Sequence, residues 1–403
     1  LDYITRVQYL NSISRFVDKP IVKVLTGLRR VGKSTLLEMI RYELLSHIKD
    51  EHILFLNFES KDGLSINNAQ KLVNLVSERF NKDDRIYLFF DEIQLVSEWE
   101  KAINVFRVDF NADIYITGSN SKLLSTDIST VLAGRTVNFH IQPFTFKEYK
   151  HLLAHLNLTE QALFNAFVQF GGMPFIKYFD LEKEATLKYL MDVYNTVIVK
   201  DVLEYNKIRD VDLFNRILRF VIQNIGSTFS ALSIVKFLKS EQRKVSVDTV
   251  LSYLRMLEEA FVIQKIVRED LIGKKVLKVD EKYYLSDHGF REALGYSNTQ
   301  SIEKVLENIV LNEMQSRGYE VKIGKVNDLE VDFVAQKHQD KLYIQVSYLL
   351  ASPSTIEREF KSLSMINDNY PKYVLSMDQL DFSHDGIIHM NIIDFLKSTD
   401  SNS

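Results

Sequence analysis

Residues Gly27 to Ser34 read G-L-R-R-V-G-K-S, between the apolar run I-V-K-V-L-T (Ile21–Thr26) and the helix-forming run T-L-L-E-M-I-R-Y-E-L-L. Few folds accommodate that order. The spacing G-x-x-x-x-G-K-[ST], set between a strand and a helix, builds a loop whose backbone N–H groups turn inward on phosphate. The lysine reaches the outer phosphates, the hydroxyl suits Mg²⁺, and the following helix adds the positive end of its dipole. The candidate nucleotide-binding residues are Gly27, Arg30, Val31, Gly32, Lys33, Ser34 and Thr35. Arg29 and Arg30 flank the loop, but pairing with a carboxylate explains either equally well, and neither is given a catalytic role.

A second signal follows one strand later. I-Y-L-F-F-D-E (Ile86–Glu92) is an apolar strand ending in two acids. Asp91 is placed to assist the magnesium ion held by Ser34, and Glu92 to orient or deprotonate an attacking water. Only one other strand, Ile53–Phe58, separates this pair from the phosphate loop. That order, with the adjacent glutamate, is the pattern of additional-strand ATPases. A third signal is I-Y-I-T-G-S-N (Ile114–Asn120), where Asn120 is the candidate sensor of the γ-phosphate and Thr117 the alternative. The competing reading is that Ser119 or Asn120 caps the next helix. Arg135, in L-A-G-R, is a candidate charge-stabilising arginine acting on its own or a neighbouring subunit's nucleotide, with a surface ion pair as the plain alternative.

The chain has 403 residues, more than one hydrophobic core organises, so several domains are expected. Strands Ile21–Thr26, Ile53–Phe58, Ile86–Phe90, Ile114–Thr117 and Val137–Ile141 alternate with helical stretches, predicting a parallel α/β sheet over residues 1–145. Helical periodicity, broken by G-G-M-P at Gly171–Pro174, predicts a helical bundle over 146–226. Helix, turn, helix and two strand-like runs predict a winged helix over 227–296, and mixed α/β structure fills 297–403. A net charge of −4 advertises neither nucleic acid nor membrane, and the absence of cysteine excludes disulfides and thiolate metal sites. With no apolar run of membrane-spanning length and no targeting segment at its start, the chain reads as cytoplasmic.

These strings together resemble a known group. G-L-R-R-V-G-K-S-T, D-E-I-Q, I-T-G-S-N-S-K-L-L, L-A-G-R, P-F-T-F-K-E-Y, G-G-M-P, K-Y-Y-L-S-D, L-E-V-D-F-V and D-N-Y-P-K-Y-V-L are similar to the predicted AAA+-type, STAND-like P-loop ATPases of bacteria and archaea that carry a C-terminal domain of unknown function. The resemblance implies an ATPase core, a winged helix and a C-terminal fold like that of restriction endonucleases, the PD-(D/E)xK type. In that fold Glu307 and Asp332 match the helix and first-strand acids, while Gln345 and Ser347 stand where a second acid and a lysine belong. A neutral amide binds Mg²⁺ less well than a carboxylate, so nuclease chemistry is not expected.

The expected activity is Mg²⁺-dependent ATP hydrolysis by Glu92, Asn120 and Arg135, with Ser34 and Asp91 at the metal. The expected clients are double-stranded DNA, through the winged helix, or a protein, and an oligomer is compatible with a trans role for Arg135. Between Ser230 and Lys282 eleven lysines and arginines face eight acids, a modest excess. Lys236, Lys239, Arg243, Lys244 and Arg255 could line a DNA-facing side and Lys274, Lys275 and Lys278 a wing, whereas the plain reading is a winged helix used for packing. The alternative to turnover is a slow nucleotide-dependent switch, and an ATP-dependent nuclease is weakened by Gln345 and Ser347.

Overall fold

The computed structural model describes residues 4–118, 132, 134–273 and 275–398, with backbone alone for 275–280. The chain divides into two compact units, Leu1–Ile141 with Glu259–Phe261, and Gln142–Glu258 with Val262–Ser403. Among the described residues no helix is long and apolar enough to cross a membrane.

The first unit is built on five parallel strands: β1 (Val22–Thr26), β2 (Ile53–Asn57), β3 (Arg85–Asp91), β4 (Asn111–Gly118) and β5 (Thr136–His140). Their order in the sheet is β2-β3-β4-β1-β5, so β4 lies between the strand feeding the phosphate loop and the strand ending in Asp91. The expected parallel sheet is present, with the inserted strand identified as β4. Every residue of β1 is buried, and so is all of β3 after Arg85, because helices cover both faces. The helices Ala69–Arg79 and Trp99–Asp109 contribute Leu72, Val76, Trp99, Ile103 and Phe106 to a core shared with Leu54, Leu88 and Phe90.

A polar contact lies on the opposite face of the sheet. Lys23, on β1, forms an ion pair with Asp113 on β4, and both are wholly buried. Asp113 Oδ2 also accepts from the Asp18 N–H and the Tyr115 hydroxyl, each at 2.9 Å. Buried charge persists only when its remaining lone pairs and protons are also satisfied, and here they are.

The second unit includes the helices Phe146–Leu152, Glu160–Phe170, Lys183–Thr196, Val211–Gln223, Ala231–Ser240 and nearly all of Val247–Glu259. A hairpin of β6 (Ile263–Asp270) and β7 (Lys275–Leu285) follows the last two, so helix, turn, helix and hairpin succeed one another. The hairpin is not freestanding. β6 pairs in parallel with β8 (Glu320–Val326), which continues through β9 (Leu329–Lys337), β10 (Asp340–Val346), β11 (Lys372–Ser376) and β12 (Ile388–Asn391). The result is one seven-stranded mixed sheet of order β12-β11-β10-β9-β8-β6-β7, which runs across the boundary expected at residue 296.

The G-G-M-P turn and the later S-D-H-G string meet through one side chain. Asp287 accepts from the Gly172 and Gly289 N–H groups, both at 2.8 Å. A Cβ on Gly171, whose φ is 74°, would come within 1.9 Å of the Asp287 carboxylate, so the position is closed to any side chain. The neighbouring His288 Nε2 donates to the Phe167 carbonyl at 2.7 Å, tying the same turn to Glu160–Phe170.

Burial pushes the Asp287 carboxyl up to about 6 in spite of its two backbone bonds. A carboxyl whose folded-state value is raised holds its proton more tightly in the native state. Its stabilising contribution is therefore full below pH ~4 and lost as pH rises through about 6. Asp287→Asn removes this titration, so the wild-type minus variant difference in urea stability should fall by ~3 kcal/mol between pH 4 and pH 7. A pH-independent difference would show that the carboxyl is already ionised at acid pH.

Candidate functional site

The carboxyl ends of the parallel strands converge on the phosphate loop. Thr26 closes β1, Asn57 closes β2, Asp91 closes β3, and Thr117 is the penultimate residue of β4. After β1 the chain takes left-handed angles at Arg30 and Gly32, with φ of 65° and 94°. At Gly27 a Cβ would lie 2.3 Å from the Ile141 carbonyl oxygen, so close backbone approach requires glycine there. Lys33 opens the helix Lys33–Leu45, is 4% exposed, and donates through Nζ to the carbonyls of Gly27 and Leu28, both at 3.0 Å. Its ammonium is thus folded inside its own loop.

Asp91 is the hub. Its Oδ1 accepts from Ser34 Oγ at 3.0 Å and from Thr117 Oγ1 at 2.5 Å, and its Oδ2 accepts from Asn57 Nδ2 at 2.9 Å. Burial pushes the carboxyl up, and the bonds from Thr117 and Ser34 oppose that shift. Thr117 Oγ1 in turn accepts from the Glu92 N–H at 3.0 Å, fixing a residue that holds the left-handed φ of 55°. A non-glycine residue in that region is uncommon and turns the chain sharply at the strand end. The Glu92 carboxylate accepts from Gln94 Nε2. Ser34 and Asp91 supply the oxygen-only donors that Mg²⁺ takes, and the glycine cradle with the Lys33–Leu45 N-terminus suits phosphate.

Ser34, Asp91, Glu92 and Thr117 are thus brought together, and Gly27, Arg30, Val31, Gly32, Lys33 and Thr35 form the loop and first turn beside them. Asn120 lies outside the described residues. Arg135 is not brought to the loop of its own chain. It precedes β5, and its carbonyl accepts from the Val22 N–H at 2.9 Å, at the start of β1. The register Val22↔Thr136 to Thr26↔His140 puts it at the opposite end of the strands, roughly 13 Å of strand rise away. Asn57 was missed from sequence because it reads as one polar residue inside the strand Ile53–Phe58, and nothing local shows that it faces Asp91. The register pair Asn57↔Asp91 shows that it closes the strand next to Asp91.

The C-terminal acids gather around an unexpected partner. Lys282 Nζ, on β7, lies 2.6 Å from Glu330, 3.3 Å from Glu307 and 3.8 Å from Asp332. The Tyr284 hydroxyl also donates to Glu307 at 2.7 Å, and Arg268 pairs with Glu330. Burial disfavours the charge on Lys282, but Glu307, Asp332 and Glu330 outweigh it and hold the ammonium proton more tightly than usual. Burial likewise pushes Asp332 well up. Gln345 Oε1 accepts from the Asp332 N–H at 3.2 Å while its Nε2 donates to Glu359 at 3.0 Å, and Ser347 is buried. Glu307 and Asp332 therefore share a cluster, as expected from sequence, with an ammonium among them.

Comparison with known proteins agrees with the site. Residues 19–150 match the AAA domain family and residues 161–301 match a domain of unknown function (DUF8612). The chain is 34% identical over 402 residues to an uncharacterized protein of Haemophilus influenzae, covering 98% of each. It is 30% identical to the uncharacterized protein MJ1544 of Methanocaldococcus jannaschii, over 85% of this chain and 77% of that one. Among solved structures, the Walker-type ATPase PABY2304 of Pyrococcus abyssi superposes with a TM-score of 0.53 at 17% identity, covering 73% of this chain and 96% of that chain, which is a likeness of fold. The chain belongs to one family with the Haemophilus influenzae protein and MJ1544, with an AAA domain of P-loop NTPase-like fold over residues 19–150 and a domain of unknown function over 161–301.

Proposed function

We propose that the protein hydrolyses ATP to ADP and phosphate and uses the nucleotide state to act on a nucleic-acid or protein client. The observation that carries the catalytic part is the unbroken run of hydrogen bonds Ser34–Asp91–Thr117–Glu92. Phosphate binding draws the Lys33 ammonium from the Gly27 and Leu28 carbonyls to the outer phosphates of ATP. Ser34 and Asp91 would hold Mg²⁺, which supplies charge neutralisation on the phosphates. Glu92, its backbone pinned by Thr117, takes a proton from water as the water oxygen bonds to the γ-phosphorus. The bond from that phosphorus to the β-bridging oxygen breaks, and ADP leaves with the electron pair. Asn120 is retained as the γ-phosphate sensor, and Arg135 as a residue acting on a neighbouring subunit's nucleotide.

Glu92→Gln should lower steady-state ATP turnover by about 10²–10⁴-fold while leaving ATP binding intact, because only proton transfer is lost. Lys33→Ala should abolish binding itself, read by equilibrium dialysis with labelled ATP. Full turnover in the first variant or unchanged affinity in the second would sink the assignment.

A DNA client is favoured by one feature of the helix–turn–helix. Lys236, Lys239, Lys244 and Arg255 are exposed and, among the described residues, make no ion pair, whereas Arg243 pairs with Asp212. Duplex DNA should raise ATP turnover in low salt and lose that effect between 50 and 200 mM salt. If turnover is negligible and ATP binds tightly, the protein is a nucleotide-dependent switch. Because Gln345 and Ser347 stand where the second acid and the lysine belong, and the Lys282 ammonium occupies the space among Glu307, Glu330 and Asp332, supercoiled plasmid incubated with the protein and Mg²⁺ should stay intact. Nicking that Asp332→Ala removes would contradict this.

A further inference from the structure

The helix Val211–Gln223 presents polar side chains that nothing in its own unit satisfies. A cleft of about 360 Å³ lies between it, the end of Lys183–Thr196 and the turn at Leu294–Tyr296; its walls are Tyr194, Asn195, Asn215, Arg219, Leu294 and Tyr296. A second cleft, of about 340 Å³, shares Asn215, Arg219 and Tyr296 and continues along the same helix to Gln223. Among the described residues, the side chains of Asn195, Asn215, Arg219 and Gln223 and the hydroxyls of Tyr194 and Tyr296 make no hydrogen bond or ion pair. Asn195, Arg219 and Gln223 are exposed and Asn215 half-buried, so these groups meet solvent in the cleft and are free to bond a ligand.

The charge of the two clefts is correspondingly simple. The acids of the second cleft are already neutralised, Asp212 by Arg216 at 3.0 Å and by Arg243, and Glu241 by Arg216 at 2.8 Å. The first cleft has no carboxylate in its walls. Arg219 is the one wall cation without an ion pair among the described residues. The walls are also held in place before any ligand arrives. The buried Arg291 donates to the carbonyls of Tyr296 and Ser297, at 3.4 and 2.8 Å, and to Ser301 Oγ at 2.7 Å, clamping the turn that carries Tyr296. Tyr194 is 8% exposed and packs on Phe290, and the widened π-helical turns Val197–Glu204 begin three residues later, a distortion that often accompanies a site.

We propose that this cleft binds a nucleoside phosphate unit, at a site separate from the phosphate loop. Arg219 offers a planar fork of donors to phosphate oxygens. Asn195 and Asn215 each present a donor and an acceptor, the pairing that reads a base edge. The half-buried ring of Tyr296 supplies the flat apolar surface a base requires, while Tyr194, buried against Phe290, backs the wall. Inorganic phosphate or a simple carboxylate would engage Arg219 and leave the two carboxamides and two phenols unmatched. Free nucleotide and a strand of nucleic acid both carry this unit, and the continuation into the second cleft leaves room for the adjoining unit of a strand. The inference does not depend on ATP being hydrolysed.

The test uses full-length protein carrying Lys33→Ala, so that binding at the phosphate loop is removed. Two probes are titrated by fluorescence anisotropy, a labelled single-stranded oligothymidylate and a labelled nucleoside diphosphate, with inorganic phosphate as competitor. Saturable binding of either is expected, weakened about tenfold or more by an added Arg219→Ala, with the slope of log affinity against log salt for the oligonucleotide reduced by about 0.7. Asn215→Ala should weaken binding without changing that slope. Both side chains are free of partners, so thermal unfolding should not shift. Binding of the oligonucleotide alone identifies a strand as the ligand, and binding of the diphosphate alone identifies a free nucleotide. The proposal is overturned if neither probe binds, if both substitutions leave affinity unchanged, or if inorganic phosphate competes as well as nucleotide.

Discussion

The phosphate site depends on one carboxylate being shared. Asp91 accepts from Ser34 on the loop helix, Asn57 at the end of β2 and Thr117 near the end of β4, so one buried side chain ties three elements to β3. This sharing is possible only because β4 lies between β1 and β3. Without the inserted strand, Thr117 could not bond both Asp91 and the Glu92 N–H. The order of strands, set by nonlocal pairing, thereby decides the aim of the residue that handles water.

The second unit uses buried charge in a comparable way but for a different end. Asp287 holds two glycine N–H groups from segments more than a hundred residues apart in sequence, and Lys282 is held among three acids. Removing either partner from such an arrangement strands the other in a low-dielectric interior, at a cost of several kcal/mol. Lys282 ties β7 to the acids of β9 and of the helix Ile302–Ser316, and Asp287 ties the G-G-M-P turn to the segment after β7. In the cleft beside Val211–Gln223 the opposite holds, since its polar groups are left open to whatever enters.

Much of the first unit was legible because its signals are local. β1 and β2 begin or end within a residue of their apolar runs, Lys33 and Ser34 open the helix after the loop, and Asp91 closes β3. The sequence reading cut β4 short at Ile114 because Asn111 and Asp113 look like turn residues; Asp113 is buried through its pairing with Lys23, which no local pattern reveals. Arg135 stayed open between its own and a neighbouring subunit's nucleotide for a similar reason. Proximity in sequence to a strand does not say which end of the sheet a residue occupies, and the register places it opposite the loop. The roles of Thr117 and Asn57, and the arrival of Lys282 among the C-terminal acids, follow from strand pairing across tens of residues.

The pairing of β6 with β8 has a mechanical side. Arg268, Glu269 and Asp270 are in register with Ile323, Gly324 and Lys325, and Leu271 N–H extends the ladder to the Lys325 carbonyl at 2.8 Å. A ladder of backbone bonds is stiff along its length and yields only when several bonds part together. A pull on the helix–turn–helix that moves its hairpin is therefore carried into β8 and β9 as a shear across the sheet, with Lys282 and its acids resisting at the same edge. The helix–turn–helix and the C-terminal sheet then work as a single lever, and a load taken by one is felt by the other.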